Sequence, residues 1–276
     1  MTRVAVVGHV EWIQFARVPR LPVAGEIVHA SEEWEEAGGG AVAAVQLAKL
    51  AGGAEFFTAL AGDALGRRSR ERLEALGVTV HAAPRPDRQR RGFTHIDAAG
   101  ERTITVIGER IVPHGADPLP WERLDEVDGV YFTGGDEAAL QAARRAERLV
   151  ATPRAARTLL AAGVRLDALV RSGSDAGEQL DPDRLDPPPD LVVSTGGTEG
   201  GRWEAADGTT GSYAAARLPG PARDSYGAGD SFAAAFTFGL AGGHTVEAAL
   251  QLAARAGAHK LAGRAPFENQ LAAADL

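Results

Sequence analysis

The chain contains no cysteine, only two lysines and no extended block of basic residues. The lack of cysteine excludes disulfides, thiolate zinc sites and cysteine nucleophiles, and it fits a reducing compartment. The formal net charge of −8 argues against nucleic acid or an anionic membrane as the main partner. No apolar run is long enough to span a bilayer and no signal peptide precedes the first strand-like segment, so we expect a cytoplasmic protein.

Two catalytic patterns are also missing. The seven histidines include no pair at helical i, i+4 spacing with an acid between them, and no G-x-S-x-G elbow occurs. The sequence therefore lacks the marks of a helical zinc-protease site and of an α/β-hydrolase. His9 stands out among the histidines because it follows the first apolar segment, at the edge where open α/β sheets bind ligands.

Short apolar runs alternate with helical stretches along the chain. The predicted strands cover residues 4–7, 55–60, 127–133, 168–170 and 191–195, and the predicted helices cover 41–51, 63–76, 137–150, 154–162, 232–240 and 245–261. This alternation predicts an α/β fold with a doubly wound, mostly parallel sheet. The chain of 276 residues shows no clear linker between domains.

Two segments, about 11–34 and 92–107, break the alternation. In the second, apolar and polar residues alternate around the turn at Ala99, Gly100 and Glu101, which predicts a β-hairpin. Both segments must leave the edge of the main sheet. We therefore expect them to form a small β lid.

The most informative segment reads Asp224-Ser225-Tyr226-Gly227-Ala228-Gly229-Asp230-Ser231-Phe232. Three small residues precede the acid Asp230, and an alanine-rich apolar helix follows. A helix N-terminus behind a glycine loop attracts anions through its free N–H groups and dipole. A carboxylate beside such a site is suited to take a proton from an attacking hydroxyl. The alternative is an ordinary glycine-rich loop with an aspartate cap.

A second glycine cluster reads Gly38-Gly39-Gly40-Ala41-Val42-Ala43. It matches G-x-G-x-x-A, a weak dinucleotide fingerprint when it stands alone. The acidic residues 32–36 before it do not resemble a buried strand, which argues against that interpretation. The remaining alternatives are close packing at a helix start and a helix N-terminus that faces a substrate.

Together these segments resemble the ribokinase-like (PfkB) carbohydrate kinases. Residues 224–230 are similar to that family's signature Asp-Thr-x-Gly-Ala-Gly-Asp, with Ser225 in place of threonine, and residues 38–43 resemble its N-terminal glycine signature. Further matches, in the family's order, are residues 22–26 (P-x-x-G-E), 61–66 (around G-D-x-x-G), 100–103 (the lid hairpin) and 195–200 (T-x-G-x-x-G). The resemblance spans essentially the whole chain.

The resemblance implies a single ribokinase-like domain over residues 1–276 and transfer of a phosphoryl group from ATP, with Mg²⁺, to a hydroxyl, typically a CH2OH, of a small sugar-like or nucleoside substrate. Asp230 is then the catalytic base, and the amides of Gly227, Ala228 and Gly229 form the anion hole. The implied nucleotide contacts are Thr195, Gly197 and Gly200, together with Gly227 and Gly229. The implied sugar contacts are Gly38, Gly39, Gly40 and Asp230. Asp224 and Tyr226 match a site for a monovalent cation such as K⁺, and relatives pair through the lid as homodimers.

Four positions depart from the family pattern. Ala43 and Ile13 stand where the family has the Asn and Asp that bind the sugar, so these two substrate positions offer no polar group. Glu11, His9 or Gln14 can compensate. The family's Asn-x-x-Glu block, tied to magnesium-bound water, corresponds to residues 172–175 and leaves Asp175 as the acid there, and Thr152 replaces a strand-end acid.

Two other functions remain open. A degenerate family member would bind nucleotide or sugar without turnover, which the altered magnesium block favours and the intact Gly-Ala-Gly-Asp run opposes. A dinucleotide-dependent oxidoreductase would rest only on residues 38–43.

Overall fold

A computed structural model describes residues 2–276 and contains two β-sheets. The strands are β1 (Val4–Val7), β2 (Val10–Arg17), β3 (Glu32–Gly39), β4 (Ala54–Ala61), β5 (Val78–Arg85), β6 (Arg91–Ile96), β7 (Arg102–Ile107), β8 (Gly129–Phe132), β9 (Arg148–Ala151), β10 (Ala168–Ser172), β11 (Leu191–Thr195), β12 (Gly201–Ala205) and β13 (Thr210–Tyr213). The helices are α1 (Gly40–Ala51), α2 (Ala64–Glu74), α3 (Glu137–Ala143), α4 (Ala156–Ala162), α5 (Ala228–Ala241) and α6 (Val246–Leu261). No helix among residues 2–276 is long and apolar enough to cross a membrane.

The large sheet has nine strands in the order β13-β12-β11-β10-β9-β8-β1-β4-β5. Its strands from β11 to β5 pair in parallel, and only β12 and β13 are antiparallel. This arrangement confirms the predicted doubly wound, mostly parallel sheet. Because the carboxyl ends of parallel strands meet at one edge, the residues after β1, β8, β9, β10 and β11 share that edge.

Helices cover both faces of the large sheet. Successive side chains of β1 point to opposite faces, so Val6 packs in the layer of α1, α5 and α6 while Val7 packs with α3 and α4. All four residues of β1 are buried, as expected for a parallel strand covered on both sides. The core therefore lies in two layers, one on each side of the sheet.

The small sheet has four strands in the order β3-β2-β6-β7. β2 pairs antiparallel with β3 and parallel with β6, and β6 and β7 form the expected hairpin. These strands lie in or next to segments 11–34 and 92–107, but β3 continues to Gly39 and runs directly into α1.

Two of the four chain crossings between the sheets lie close together. β1 continues through Gly8 and His9 into β2, and β3 meets α1 at Gly40. Thr133, just after β8, touches both junctions. A Cβ atom added to Gly8 would lie 1.9 Å from Oγ1 of Thr133, and one added to Gly40 would lie 2.7 Å from the same oxygen.

One predicted helix, residues 137–150, is wrong in its second half. α3 begins where the side chain of Asp136 accepts a hydrogen bond from the amide of Ala139, and it ends at Ala143. The following residues turn, and Arg148–Ala151 forms β9 between β8 and β10. The apolar residues at 149–151 belong to the sheet core rather than to a helix face.

Candidate active site

The segment before α5 forms a tight loop that ends at Gly227. Gly227 has a φ of 78°, the left-handed conformation that disfavours residues with a side chain. A Cβ atom there would lie 2.7 Å from Cγ1 of Val42 in α1. Glycine is therefore required at this position both by the backbone turn and by the packing of α1 against the loop.

The N-terminus of α5 leaves amide groups free. Within residues 2–276, the amides of Gly227, Gly229 and Asp230 donate no hydrogen bond to another residue, whereas the amide of Ala228 donates to the carbonyl of Ser225 at 3.3 Å. A Cβ atom at Gly229 would meet nothing within 4 Å. Free amides that border open space at a helix N-terminus suit a negatively charged ligand.

Asp230 lies in the first turn of α5 and is half-buried. Burial raises the pKa of its carboxyl group to about 7, the charge of Glu178 adds to the rise, and the charges of Arg102 and Arg154 oppose it. A carboxylate with a pKa near neutrality exchanges a proton readily at physiological pH. Its position beside free amides places a base next to an anion site.

The glycine cluster meets the same loop. The amide of Gly39 donates a hydrogen bond to the hydroxyl of Tyr226 at 3.0 Å. A Cβ atom at Gly38 would lie 2.3 Å from that hydroxyl and 2.5 Å from Cδ1 of Ile13, and one at Gly39 would lie 2.9 Å from Nε2 of His9. The glycines thus bring the start of α1, the loop and β2 into direct contact.

A charged cluster lies on the neighbouring part of β2. Oε1 of Glu11 is 3.1 Å from Nε2 of His9 and 3.0 Å from Nε of Arg90. Burial raises the pKa of Glu11, but the hydrogen bond with His9 and the charges of His9, Arg90 and Arg110 outweigh burial and hold it below its usual value. Burial lowers the pKa of His9. Glu11 also stands opposite Gly38 in the β2–β3 register.

The other residues considered as contacts of the acceptor substrate are either apolar or directed away from the glycine cluster. Ile13 and Ala43 are fully buried in the core. Gln14 lies on the opposite face of β2 and donates to Glu33 on the exterior, because side chains alternate along a strand. Of the residues named as replacements for the missing Asn and Asp, His9 and Glu11 therefore lie beside the glycine cluster and Gln14 does not.

The Thr195–Gly200 loop follows β11 at the carboxyl edge of the sheet. The carbonyl of Thr195 accepts a hydrogen bond from the amide of Gly173 at 2.8 Å, which ties this loop to the end of β10. A Cβ atom at Gly197 would meet nothing within 4 Å. The hairpin that follows packs on α5, since the rings of Tyr213 and Phe232 lie 5.6 Å apart.

An acidic pair lies beyond β10. Asp175 caps a short turn and pairs with Arg154, whose Nε also donates to Glu178 at 2.9 Å. The charge of Glu178 raises the pKa of Asp230, and its carboxylate accepts a hydrogen bond from the amide of Ser172 at 2.7 Å. Sequence reasoning missed Glu178, although the spacing Asp175-x-x-Glu178 repeats the Asn-x-x-Glu spacing. Thr152 is buried and its hydroxyl caps the turn that carries Arg154.

Asp224 begins the loop and is buried. Its Oδ1 accepts the amide of Tyr226 at 2.8 Å, and its Oδ2 has no partner among the described residues. The ammonium group of Lys260, which is also fully buried, donates to the backbone carbonyl of Asp224 at 3.4 Å. Sequence reasoning did not identify Lys260.

The small sheet contacts the loop directly. A guanidinium nitrogen of Arg102 in β7 donates to the carbonyl of Ser225 at 2.6 Å and to its hydroxyl at 3.1 Å. Arg17 in β2 donates to the carbonyl of Arg223 at 3.4 Å. The site is therefore enclosed from one side by the small sheet.

The comparisons with known proteins agree with this architecture. The family model described as pfkB family carbohydrate kinase matches residues 1–180 and 184–264. No curated protein sequence matches the chain.

Several solved structures share the fold. Ribokinase from Thermotoga maritima is 21% identical with a TM-score of 0.79, covering 100% of this chain and 98% of that one. Ribokinase from Cryptococcus neoformans in complex with ADP is 22% identical with a TM-score of 0.79, covering 99% and 98%. Arabidopsis thaliana ribokinase, complexed with ribose and ATP, is 18% identical with a TM-score of 0.76, covering 100% and 97%.

Proposed function

Since the chain belongs to the pfkB family of carbohydrate kinases, we propose that it transfers the γ-phosphoryl group of ATP to a hydroxyl, typically a CH2OH, of a small sugar-like or nucleoside substrate. The single observation that carries this proposal is Asp230, a carboxylate with a pKa of about 7 beside the free amides of Gly227 and Gly229. The named neighbours bound to ADP and to ATP with ribose support the choice of donor and acceptor class.

In the proposed reaction, Asp230 accepts the proton of the acceptor hydroxyl as its oxygen attacks the γ-phosphorus. The bond from that phosphorus to the bridging oxygen breaks, and ADP leaves. The free amides of Gly227 and Gly229 at the start of α5 stabilise the negative charge on the transferred group, whereas the amide of Ala228, the third member of the expected anion hole, donates to the carbonyl of Ser225. After transfer, the proton passes from Asp230 to solvent. No other group of the chain is needed as the base.

The nucleotide would lie along the carboxyl edge of the large sheet. Thr195, Gly197 and Gly200 are its contacts in this proposal, because Gly197 borders open space and the loop is tied to β10, while Gly200 packs against the backbone of Tyr213 and shapes the turn. Magnesium bound with ATP neutralises the phosphate charges. Asp175 and Glu178 already pair with Arg154, so their carboxylates would reach this ion through its retained water molecules and not as direct ligands.

The acceptor would lie between the glycine cluster and the cluster of His9, Glu11 and Arg90. Buried Ile13 and Ala43 supply no hydrogen bond, so the polar recognition of the acceptor falls to the imidazole of His9 and to the charged side chains of Glu11 and Arg90. The small sheet would act as the lid, and its contact through Arg102 would exclude water from the phosphoryl group.

The two alternative functions have weaker support. Gly38 and Gly39 are the last residues of β3 in the small sheet and Gly40 begins α1, whereas a dinucleotide fingerprint follows a strand of the parallel sheet. A protein that only binds nucleotide would have no need for a carboxylate with a raised pKa at the anion site.

We also propose a homodimer through the small sheet. β7 is an edge strand and exposes Ile104, Val106 and Ile107 by 38%, 46% and 42%. Unpaired apolar edges are sites of association. Light scattering after gel filtration should give twice the mass of the chain, and Val106→Glu should give a monomer. A monomeric wild-type protein at micromolar concentration would contradict the dimer.

The kinase proposal is tested by coupled ADP release from Mg-ATP across a panel of sugars, nucleosides and sugar phosphates. Asp230→Asn should abolish acceptor-dependent release, whereas Asp207→Asn, an exposed hairpin residue, should leave it unchanged. ATP binding by calorimetry without turnover of any acceptor would favour the binding-only alternative. The absence of ATP binding would overturn the proposal.

A further inference from the structure

Lys260 is one of two lysines in the chain and lies in the last turn of α6. Its side chain is fully buried, and its ammonium group donates to the carbonyl of Asp224 at 3.4 Å. A buried ammonium is costly unless it is paired with negative charge or oxygen ligands. Burial lowers the pKa of Lys260, and the charge of Asp224 opposes that change.

The charge of Asp224 acts on Lys260 through space, since the ammonium group contacts the backbone carbonyl of Asp224 and not its carboxylate. Asp224 is 2% exposed, and its Oδ1 accepts a hydrogen bond from the amide of Tyr226 at 2.8 Å. The end of α6 also binds the loop through its backbone, because the amide of Arg223 donates to the carbonyl of Leu261 at 2.8 Å. Lys260 is therefore packed against the base of the loop that presents the free amides of Gly227 and Gly229.

This place is where the sequence resemblance predicts a monovalent cation held by Asp224 and Tyr226. The unpartnered Oδ2 of Asp224 is an oxygen that such an ion would use. However, an ion there would be repelled by the ammonium of Lys260, and the charges of Arg102 and Arg17 already act on Asp224. The hydroxyl of Tyr226 is bound to Gly39. The donor set therefore does not fit an added cation.

We propose that the ammonium group of Lys260 takes the place of the monovalent cation and holds the loop from Ser225 to Gly229 in the geometry that receives the phosphoryl group. Lys260 is a positioning residue, because it acts through Asp224 and the loop. The enzyme then needs no added potassium. The predicted effect on catalysis rests on the proposed function. The claim that Lys260 replaces the bound cation does not depend on turnover and is tested separately, as the binding part of the inference.

The binding part is tested by thermal unfolding in KCl, NaCl and choline chloride at equal ionic strength. A ligand that binds only the folded state raises its stability. The wild type should show the same melting temperature in the three salts, whereas Lys260→Met and Lys260→Ala should gain a melting-temperature increase specific to potassium. Lys49→Met is the matched control, since Lys49 also donates to a backbone carbonyl, that of Phe267, at 2.5 Å. A potassium-specific increase in the wild type would overturn the inference.

The catalytic part is tested by ADP release with the best acceptor. Wild-type and Lys49→Met rates should not depend on potassium. Lys260→Ala should lose about tenfold to a hundredfold in kcat, since a displacement of about 1 Å in a reacting group costs about a hundredfold. Ammonium or potassium ions should restore part of that loss. A folded Lys260→Ala variant with the wild-type rate, or with a loss that no cation restores, would overturn the inference. If no acceptor is found at all, the unfolding experiment still decides the binding part.

Discussion

The hydroxyl oxygen of Tyr226 accepts a hydrogen bond from the amide of Gly39 at 3.0 Å, across a separation of 187 residues in the chain. Both groups are buried or partly buried, and the Tyr226 ring packs edge-on against Phe15 at 5.3 Å. The bond therefore joins the loop before α5 to the junction of the small sheet with α1.

Tyr226→Phe should lower the free energy of unfolding by about 1–3 kcal/mol, because it leaves the partly buried amide of Gly39 without an acceptor. Chemical denaturation measures this loss. Tyr213→Phe is the matched control, since its buried hydroxyl has no hydrogen-bond partner within residues 2–276 and its removal should cost nothing. Equal losses in the two variants would mean that the Gly39 bond contributes little.

Glu178→Gln should move the acidic limb of the pH profile of kcat/KM to lower pH. Asp230 must be ionised to accept a proton, so activity should fall as pH drops through about 7. The charge of Glu178 raises the pKa of Asp230, and its removal lowers that pKa. Glu204→Gln, an exposed residue of β12, controls for the change in net charge. A limb that stays in place in Glu178→Gln would refute this coupling.

The same carboxyl group should affect stability. Because the pKa of Asp230 is raised on folding from 3.8 to about 7, the folded state holds its proton more tightly, and stability falls as pH rises between these values. Asp230→Asn should remove this decline and leave the variant more stable than the wild type at pH 8. Melting temperatures from pH 4 to pH 8 measure the effect, and parallel curves for the two proteins would contradict it.

Arg102→Met should weaken the contact between the small sheet and the loop, since Arg102 donates both to the carbonyl and to the hydroxyl of Ser225. We expect a few-fold rise in the KM of the acceptor, consistent with about 0.5–1 kcal/mol for an exposed charged contact. Its loss should also raise the pKa of Asp230 and move the acidic limb upward. Arg91→Met, an exposed arginine of the same sheet, should change neither quantity.

Gly227→Ala should destabilise the protein and Gly229→Ala should not. The first places a methyl group 2.7 Å from Val42 at a φ of 78°, whereas the second meets nothing within 4 Å. The left-handed backbone alone costs about 1–2 kcal/mol. Adding Val42→Ala should remove the steric part of the loss but not the backbone part, although Val42→Ala itself costs stability because it leaves a cavity in the core. The double variant is therefore compared with Val42→Ala alone, and equal stability of these two variants would show that backbone strain is negligible here.

Strong local patterns made most of the large sheet predictable. The buried strand at residues 4–7 and the strand at 191–195 match β1 and β11, because continuous apolar runs of this length identify parallel strands. β9 was missed because Arg148–Ala151 follows an alanine-rich helix with no glycine or proline between them. Its strand character comes from its neighbours β8 and β10 rather than from its own residues.

The parts of the site whose residues are close together in the sequence could be predicted. Gly227, Gly229 and Asp230 are adjacent in the chain, and their shared geometry at a helix N-terminus follows from that order. Glu178 was missed although the spacing Asp175-x-x-Glu178 carried a signal for it, whereas Lys260 was not predictable from any pattern. Lys260 occupies an ordinary position for a basic residue near a helix C-terminus, and only tertiary packing buries it against Asp224.

The contacts of Thr133 with Gly8 and Gly40 bring two chain crossings together at one point. The chain crosses between the sheets four times, after β1, β3, β5 and β7, and the side chain of Thr133 lies against the first two crossings. One small side chain at the end of β8 thus limits how closely both crossings can approach, and it leaves no room for a larger residue at Gly8 or at Gly40.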